Sequence, residues 1–136
     1  MKVVLDTNVL LISLPHSSPY RSIFNGLRDG AFTLVISNEI LSEYEEILSV
    51  QTTPEIAQNV IKFILALPNV IEQQVYFRWN LIHVDPDDNK FVDCAIAGGA
   101  KYIVTEDKHF NGIKKEEFFS LEVINSDAFV EMILLI

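Results

Sequence analysis

The chain has 136 residues, 49% hydrophobic and 21% charged, a composition that supports one compact globular unit and excludes a disordered segment. A formal net charge of −9 excludes a broad electropositive surface for nucleic acid, and is compatible with a cation-recruiting acidic centre or a basic protein partner. The lone Cys94 excludes an internal disulfide, and the absence of a long apolar run or leader pattern predicts a cytoplasmic protein with no membrane contact.

In chain order, Val3-Val4-Leu5 reads as a short buried strand of a parallel sheet, with Asp6 on its C-terminal lip. Val9 to Ile12 continues as a helical turn that stops near Pro15. Tyr20, Ile23, Phe24 and Leu27 have helical spacing, and Gly30 ends that helix. Phe32 to Ile36 is the second strand. Ser37 caps a helix over 38–50 whose stripe is Ile40, Leu41, Tyr44, Ile47 and Leu48. Glu43 lies on the edge of that stripe, whereas Glu45 points away. Thr53-Pro54 opens another helix, carrying Ile56, Val60, Ile61, Ile64 and Leu65 and ended by Pro68-Asn69.

The stretch from Val70 to Trp79 fits a strand or a helix, and its pattern does not choose between them. Leu81 to Val84 predicts a short strand that runs into the turn-forming cluster Asp85-Pro86-Asp87-Asp88-Asn89. A helix over 88–98 turns Phe91, Val92, Ala95 and Ile96 inward, with Asp88 crowning that face, Asp93 on the opposite side, and Cys94 as a small packing residue. Tyr102-Ile103-Val104 is a strand with Thr105-Glu106-Asp107 at its lip. Leu121 to Ile124 is the last strand, and Ser126 or Asp127 caps a final helix. Alternating strands and helices imply an α/β fold with a mostly parallel sheet and helices on both faces, in a single domain over residues 1–136.

Asp6 and Asp107 sit at strand ends, and Asp88 and Glu43 on helices facing the same rim. Like charges converging in this way are unstable without a cation. Oxygen-only ligands favour Mg²⁺ or Mn²⁺, which can activate water and support in-line displacement at phosphorus. Thr7, Asn8 and Thr105 are either turn residues or polar neighbours that orient carboxylates and water. Asp85 and Asp87 read as turn formers, with the helical face favouring Asp88 over Asp87. Lys90, Lys108, Lys114, Lys115 and Arg21 are either phosphate contacts or ordinary solvated cations.

Val4-Leu5-Asp6-Thr7-Asn8-Val9, Ser37 to Glu43, Asp85-Pro86-Asp87-Asp88-Asn89-Lys90-Phe91 and Ile103-Val104-Thr105-Glu106-Asp107 follow one another over nearly the whole chain. Together they resemble a PIN domain of the VapC-like branch, the toxin components of toxin–antitoxin systems. The resemblance implies a three-layer α/β/α fold and a metal-dependent endoribonuclease with Mg²⁺ or Mn²⁺ held by Asp6, Glu43, Asp88 and Asp107. It makes Asn8 and Thr105 their polar neighbours. It also implies RNA as substrate, a small antitoxin as partner and a homodimer, for which the apolar Met132 to Ile136 provides a surface. Many relatives carry an acid where this chain has His109. A catalytically idle PIN scaffold that acts by protein binding is the alternative, motivated by the acidity. A haloacid-dehalogenase-type phosphotransferase is disfavoured by Asn8, where that class wants a second acid.

Overall fold

The computed structural model describes residues 1–110 and 120–136. Five strands form one sheet: β1 (Lys2–Leu5), β2 (Thr33–Ile36), β3 (Val70–Glu72), β4 (Tyr102–Val104) and β5 (Glu122–Ile124). The helices are α1 (Thr7–Ser13), α2 (Arg21–Asp29), α3 (Asn38–Gln51), α4 (Pro54–Ala66), α5 (Asn89–Gly98) and α6 (Ser126–Leu134). The strand order is β3-β2-β1-β4-β5, and every neighbouring pair is parallel. This is the three-layer α/β/α arrangement expected from the alternation of strands and helices. The central strands are continuous apolar runs because both of their faces are covered: Val3, Val4, Leu34, Val35, Ile103 and Val104 are all fully buried.

From β1 the chain moves outward to β2 and β3, then crosses back to β4 and β5 on the other side. Helices α1–α4 pack on one another, and α5 packs against β1, β2 and β4. The helix α6 returns to α2, and Phe129 meets Phe32 edge-on with ring centroids 5.0 Å apart. Local signals set the helix ends. Gly30 (φ 80°) and Gly99 (φ 66°) close α2 and α5 in the left-handed region. Ser37 and Thr53 accept the backbone N–H groups of Ile40 and Ile56 at the starts of α3 and α4.

Three expectations change. Residues 81–84 do not form a strand. The Asn89 side chain instead takes the place of a strand partner: the Ile82 N–H donates to Asn89 Oδ1 at 2.8 Å, and Asn89 Nδ2 donates to the Ile82 carbonyl at 2.9 Å. Asp93 does lie away from the apolar face of α5, yet it is only 2% exposed, because its carboxylate accepts the Trp79 N–H at 3.0 Å beneath the irregular segment before it. The cap of α6 is Asn125, which accepts the Ala128 N–H at 2.8 Å, rather than Ser126 or Asp127. Cys94 is buried, and that burial pushes its thiol up to about 12.

Candidate active site

Connections leave β1 and β4 in opposite directions, so a crevice opens at the C-terminal ends of these two neighbouring strands. Leu5 is in register with Val104, and the Asp6 N–H continues the pairing by donating to the Val104 carbonyl at 3.0 Å. Asp6 and Thr105 therefore meet at the mouth of the crevice. The Thr105 hydroxyl donates to Asp6 Oδ2 at 2.7 Å and accepts the Asp107 N–H at 3.0 Å. Asp6 is the N-cap residue of α1, but its side chain makes no capping hydrogen bond. Burial raises its pKa, the Thr105 bond opposes that rise, and the charges of Glu43 and Asp107 add to it.

Glu43 comes from the other wall. The fully buried Tyr44 donates its hydroxyl to the Leu5 carbonyl at 2.6 Å, which pins α3 to the end of β1. The preceding residue, Glu43, is then within reach of the Thr7 hydroxyl, which donates to Glu43 Oε2. Its other oxygen, Oε1, lies 2.7 Å from Lys90 Nζ, and the same ammonium is 3.1 Å from Asp87 Oδ1. Burial pulls the Lys90 pKa down, but Glu43 and Asp87 more than offset this, and the net direction is upward. An open cleft of about 490 Å³ runs along this edge, lined in part by Glu43, Glu46, Asp87 and Lys90.

Asp88 stands at the N-terminus of α5 without capping it. Its side chain is 16% exposed, and Oδ2 is buried with no hydrogen-bond partner. His109 Nδ1 is 3.5 Å from that oxygen and 3.2 Å from Asp107 Oδ1, which itself accepts the His109 backbone N–H at 2.9 Å. Burial, followed by the charges of Asp85 and Asp107, raises the Asp88 carboxyl to about 6, against a lowering contribution from His109. Asp85, Asp88 and His109 each present a ligand atom within 4.8 Å of the others.

The four acids named from the sequence lie close enough for their charges to interact. Asp6 senses Glu43 and Asp107, and Asp88 senses Asp107 and Asp6. Between the two candidate registers, the buried carboxylate belongs to Asp88, whereas the Asp87 side chain is 78% exposed. Thr105 and Thr7 bind the acids directly, but Asn8 is exposed and makes no hydrogen bond to them. Lys90 is the member that sequence reasoning left among solvated cations. The signal for it was the three-residue spacing from Asp87 on one helical turn. Arg21 turns to the Leu14 carbonyl and Asn25, away from the crevice, and Lys114 and Lys115 lie outside the described residues. A buried carboxylate oxygen without a close donor, set among Asp85, Asp107 and His109, suits a divalent cation. No helix among the described residues is long and apolar enough to cross a membrane.

Among solved structures, the fold is similar to a chain of VapBC2 from Rickettsia felis, whose crystal structure is bound to a DNA fragment from their promoter. The TM-score is 0.64 at 22% identity, covering 92% of this chain and 98% of that one. No curated protein matches the sequence. The family model for the PIN domain matches residues 2–109, a span that holds four of the five strands and all four acids, and the chain belongs to the PIN domain family.

Proposed function

We propose that this protein is a metal-dependent endoribonuclease that hydrolyses RNA phosphodiester bonds in the cytoplasm, as the single-domain toxin of a toxin–antitoxin pair. The observation that carries the reading is the charge coupling of Asp6 with Glu43 and Asp107 and of Asp88 with Asp107 and Asp6, with Asp88 Oδ2 buried and 3.5 Å from its nearest donor, His109 Nδ1. Family membership supports nuclease chemistry, and the likeness to a chain of VapBC2 supports an antitoxin partner.

Asp6, Asp88 and Asp107 would hold Mg²⁺ or Mn²⁺, with Glu43 beside them, its oxygens held by Thr7 and Lys90. When bound, the ion supplies a Lewis acid that lowers the pKa of water and neutralises phosphate oxygens. Thr105 keeps Asp6 oriented and favours its charged form. Thr7 and Lys90 hold Glu43 in one rotamer. In the reaction a bond forms between phosphorus and the water oxygen while a P–O ester bond breaks. The water proton passes to a carboxylate of the set and then to the leaving oxygen.

The direct test is cleavage of a mixed pool of structured and single-stranded RNA with Mn²⁺, Mg²⁺ or EDTA, comparing wild type with Asp6→Asn. Metal-dependent cleavage that the variant lacks is the expected result. Equal cleavage by both proteins would sink the assignment of Asp6. Absence of cleavage together with absence of Mn²⁺ binding would favour an idle scaffold. The exposed Leu134, Leu135 and Ile136 provide apolar surface for a second copy. Sedimentation of a monomer only, at micromolar concentration, would remove the dimer.

A further inference from the structure

Lys90 is unusual for a lysine in this crevice. Its side chain is only 10% exposed, and lysines are rarely so buried unless paired. The ammonium lies 2.7 Å from Glu43 Oε1 and 3.1 Å from Asp87 Oδ1, joining α3 to the turn before α5. A divalent ion bridging the same two oxygens would sit about 2.1 Å from each, and so within the space that Nζ occupies. The remaining Glu43 oxygen takes the Thr7 hydroxyl, so both oxygens of this carboxylate have a protein donor. Asp88 Oδ2, in contrast, has only His109 Nδ1, 3.5 Å away and beyond ordinary hydrogen-bond geometry. The crevice is therefore divided between an end held by the Lys90 ammonium and the Thr7 hydroxyl and an end where Asp88 and Asp107 face only the His109 imidazole.

We propose that Lys90 is the second cation of the site: its ammonium fills the place between Glu43 and Asp87 that a second divalent ion would take, so the crevice loads one divalent cation, at the Asp88 end. This rests on the metal-dependent reading above and deepens it. Two-metal phosphodiesterases hold ions about 4 Å apart to clamp both the attacking and the leaving oxygen. Here a fixed ammonium stands in for one of them. Lys90 acts as a positioning residue through Glu43, holding that carboxylate toward Thr7 and setting how many ions the site accepts.

The test is equilibrium dialysis of the metal-stripped full chain against Mn²⁺, with the electron paramagnetic resonance spectrum of the loaded protein as a second readout. Wild type and Lys90→Arg, which keeps the charge, should bind one Mn²⁺ and give the spectrum of an isolated ion. Lys90→Met and Lys90→Gln should bind two and give the signature of a coupled pair, a change that loss of packing alone does not produce. Lys90→Gln retains a donor toward Glu43 and serves where Lys90→Met does not fold. A wild type that already binds two ions, or neutral variants that bind one as wild type does, overturns the assignment to Lys90 alone. A wild type that binds none removes the metal-dependent reading and this inference with it.

Discussion

Asp88→Asn should stabilise the metal-free protein, although most substitutions destabilise. The Asp88 carboxylate is largely buried, one of its oxygens has no donor, and Asp85 and Asp107 crowd it with like charge. Folding lifts this carboxyl from 3.8 to about 6. A rise of that size corresponds to about 3 kcal/mol of strain on the charged form at neutral pH. Solvent reaches part of the side chain and screens its neighbours, and an asparagine amide must itself be desolvated. These discounts bring the expected gain to about 1 kcal/mol, or roughly 3 °C in Tm for a chain of this size. The pH dependence follows from the sign of the shift. An acid whose folded value is raised contributes its full stability below the unfolded value of 3.8 and loses it as pH rises through about 6. The advantage of asparagine should therefore be greatest at neutral pH and fade as pH falls through that window. The assay is urea unfolding of both proteins in EDTA, at neutral pH and again near pH 4. A midpoint for the variant equal to or below that of wild type at neutral pH would refute the claim that Asp88 is held charged at a cost. The same variant should lose metal-dependent RNA cleavage, which separates the price of the site from its use.

Thr105→Val preserves shape but removes the donor to Asp6 Oδ2 and the acceptor for the Asp107 N–H. Mn²⁺ affinity measured by calorimetry should fall by about tenfold, as expected when a carboxylate ligand loses its orienting partner. Unchanged affinity would mean that Thr105 merely completes the turn. Gly98→Ala tests the packing of α5 on the sheet rather than the chemistry: an added Cβ would lie 2.6 Å from Val35 Cγ1 on β2. Overpacking should cost about 1–3 kcal/mol, partly offset by about 1 kcal/mol of helix propensity, so the urea midpoint should drop while Mn²⁺ stoichiometry stays the same. A midpoint at or above that of wild type would show that Val35 moves aside freely.

How much of this was legible depends on what each residue answers to. Asp6 and Asp107 could be set at strand ends because a parallel strand buried on both faces is a continuous apolar run, and ligands of open sheets bind at such ends. Glu43 and Asp88 followed from helical periodicity, which states the angle of a side chain relative to the apolar stripe. The irregular stretch after β3 answers to neither rule. There Ile82 is paired by a side-chain amide from Asn89, and the backbone N–H of Trp79 is satisfied by Asp93. Periodicity set Asp93 opposite the apolar face but could not foresee that an unpatterned segment buries it. The Thr7 contact was equally hidden, since it joins residues 36 positions apart through the packing of Tyr44 against β1.

Lys90 shows why charge counted along the chain misleads at such a site. A net charge of −9 describes the whole surface, whereas the crevice holds an internal cation within 2.7 Å of one of its acids. Removing that cation leaves Glu43, whose side chain is 21% exposed, with only a neutral hydroxyl, which costs stability. The fold thus treats its acids unequally. Glu43 is stabilised in place by donors on both oxygens, Asp6 is balanced between burial and the Thr105 hydroxyl, and Asp88 is left short of a donor. That gradient makes the Asp88 end the part of the crevice with most to gain from an added cation. It is also why neutralising Asp88 and neutralising Lys90 should move the metal-free stability in opposite directions.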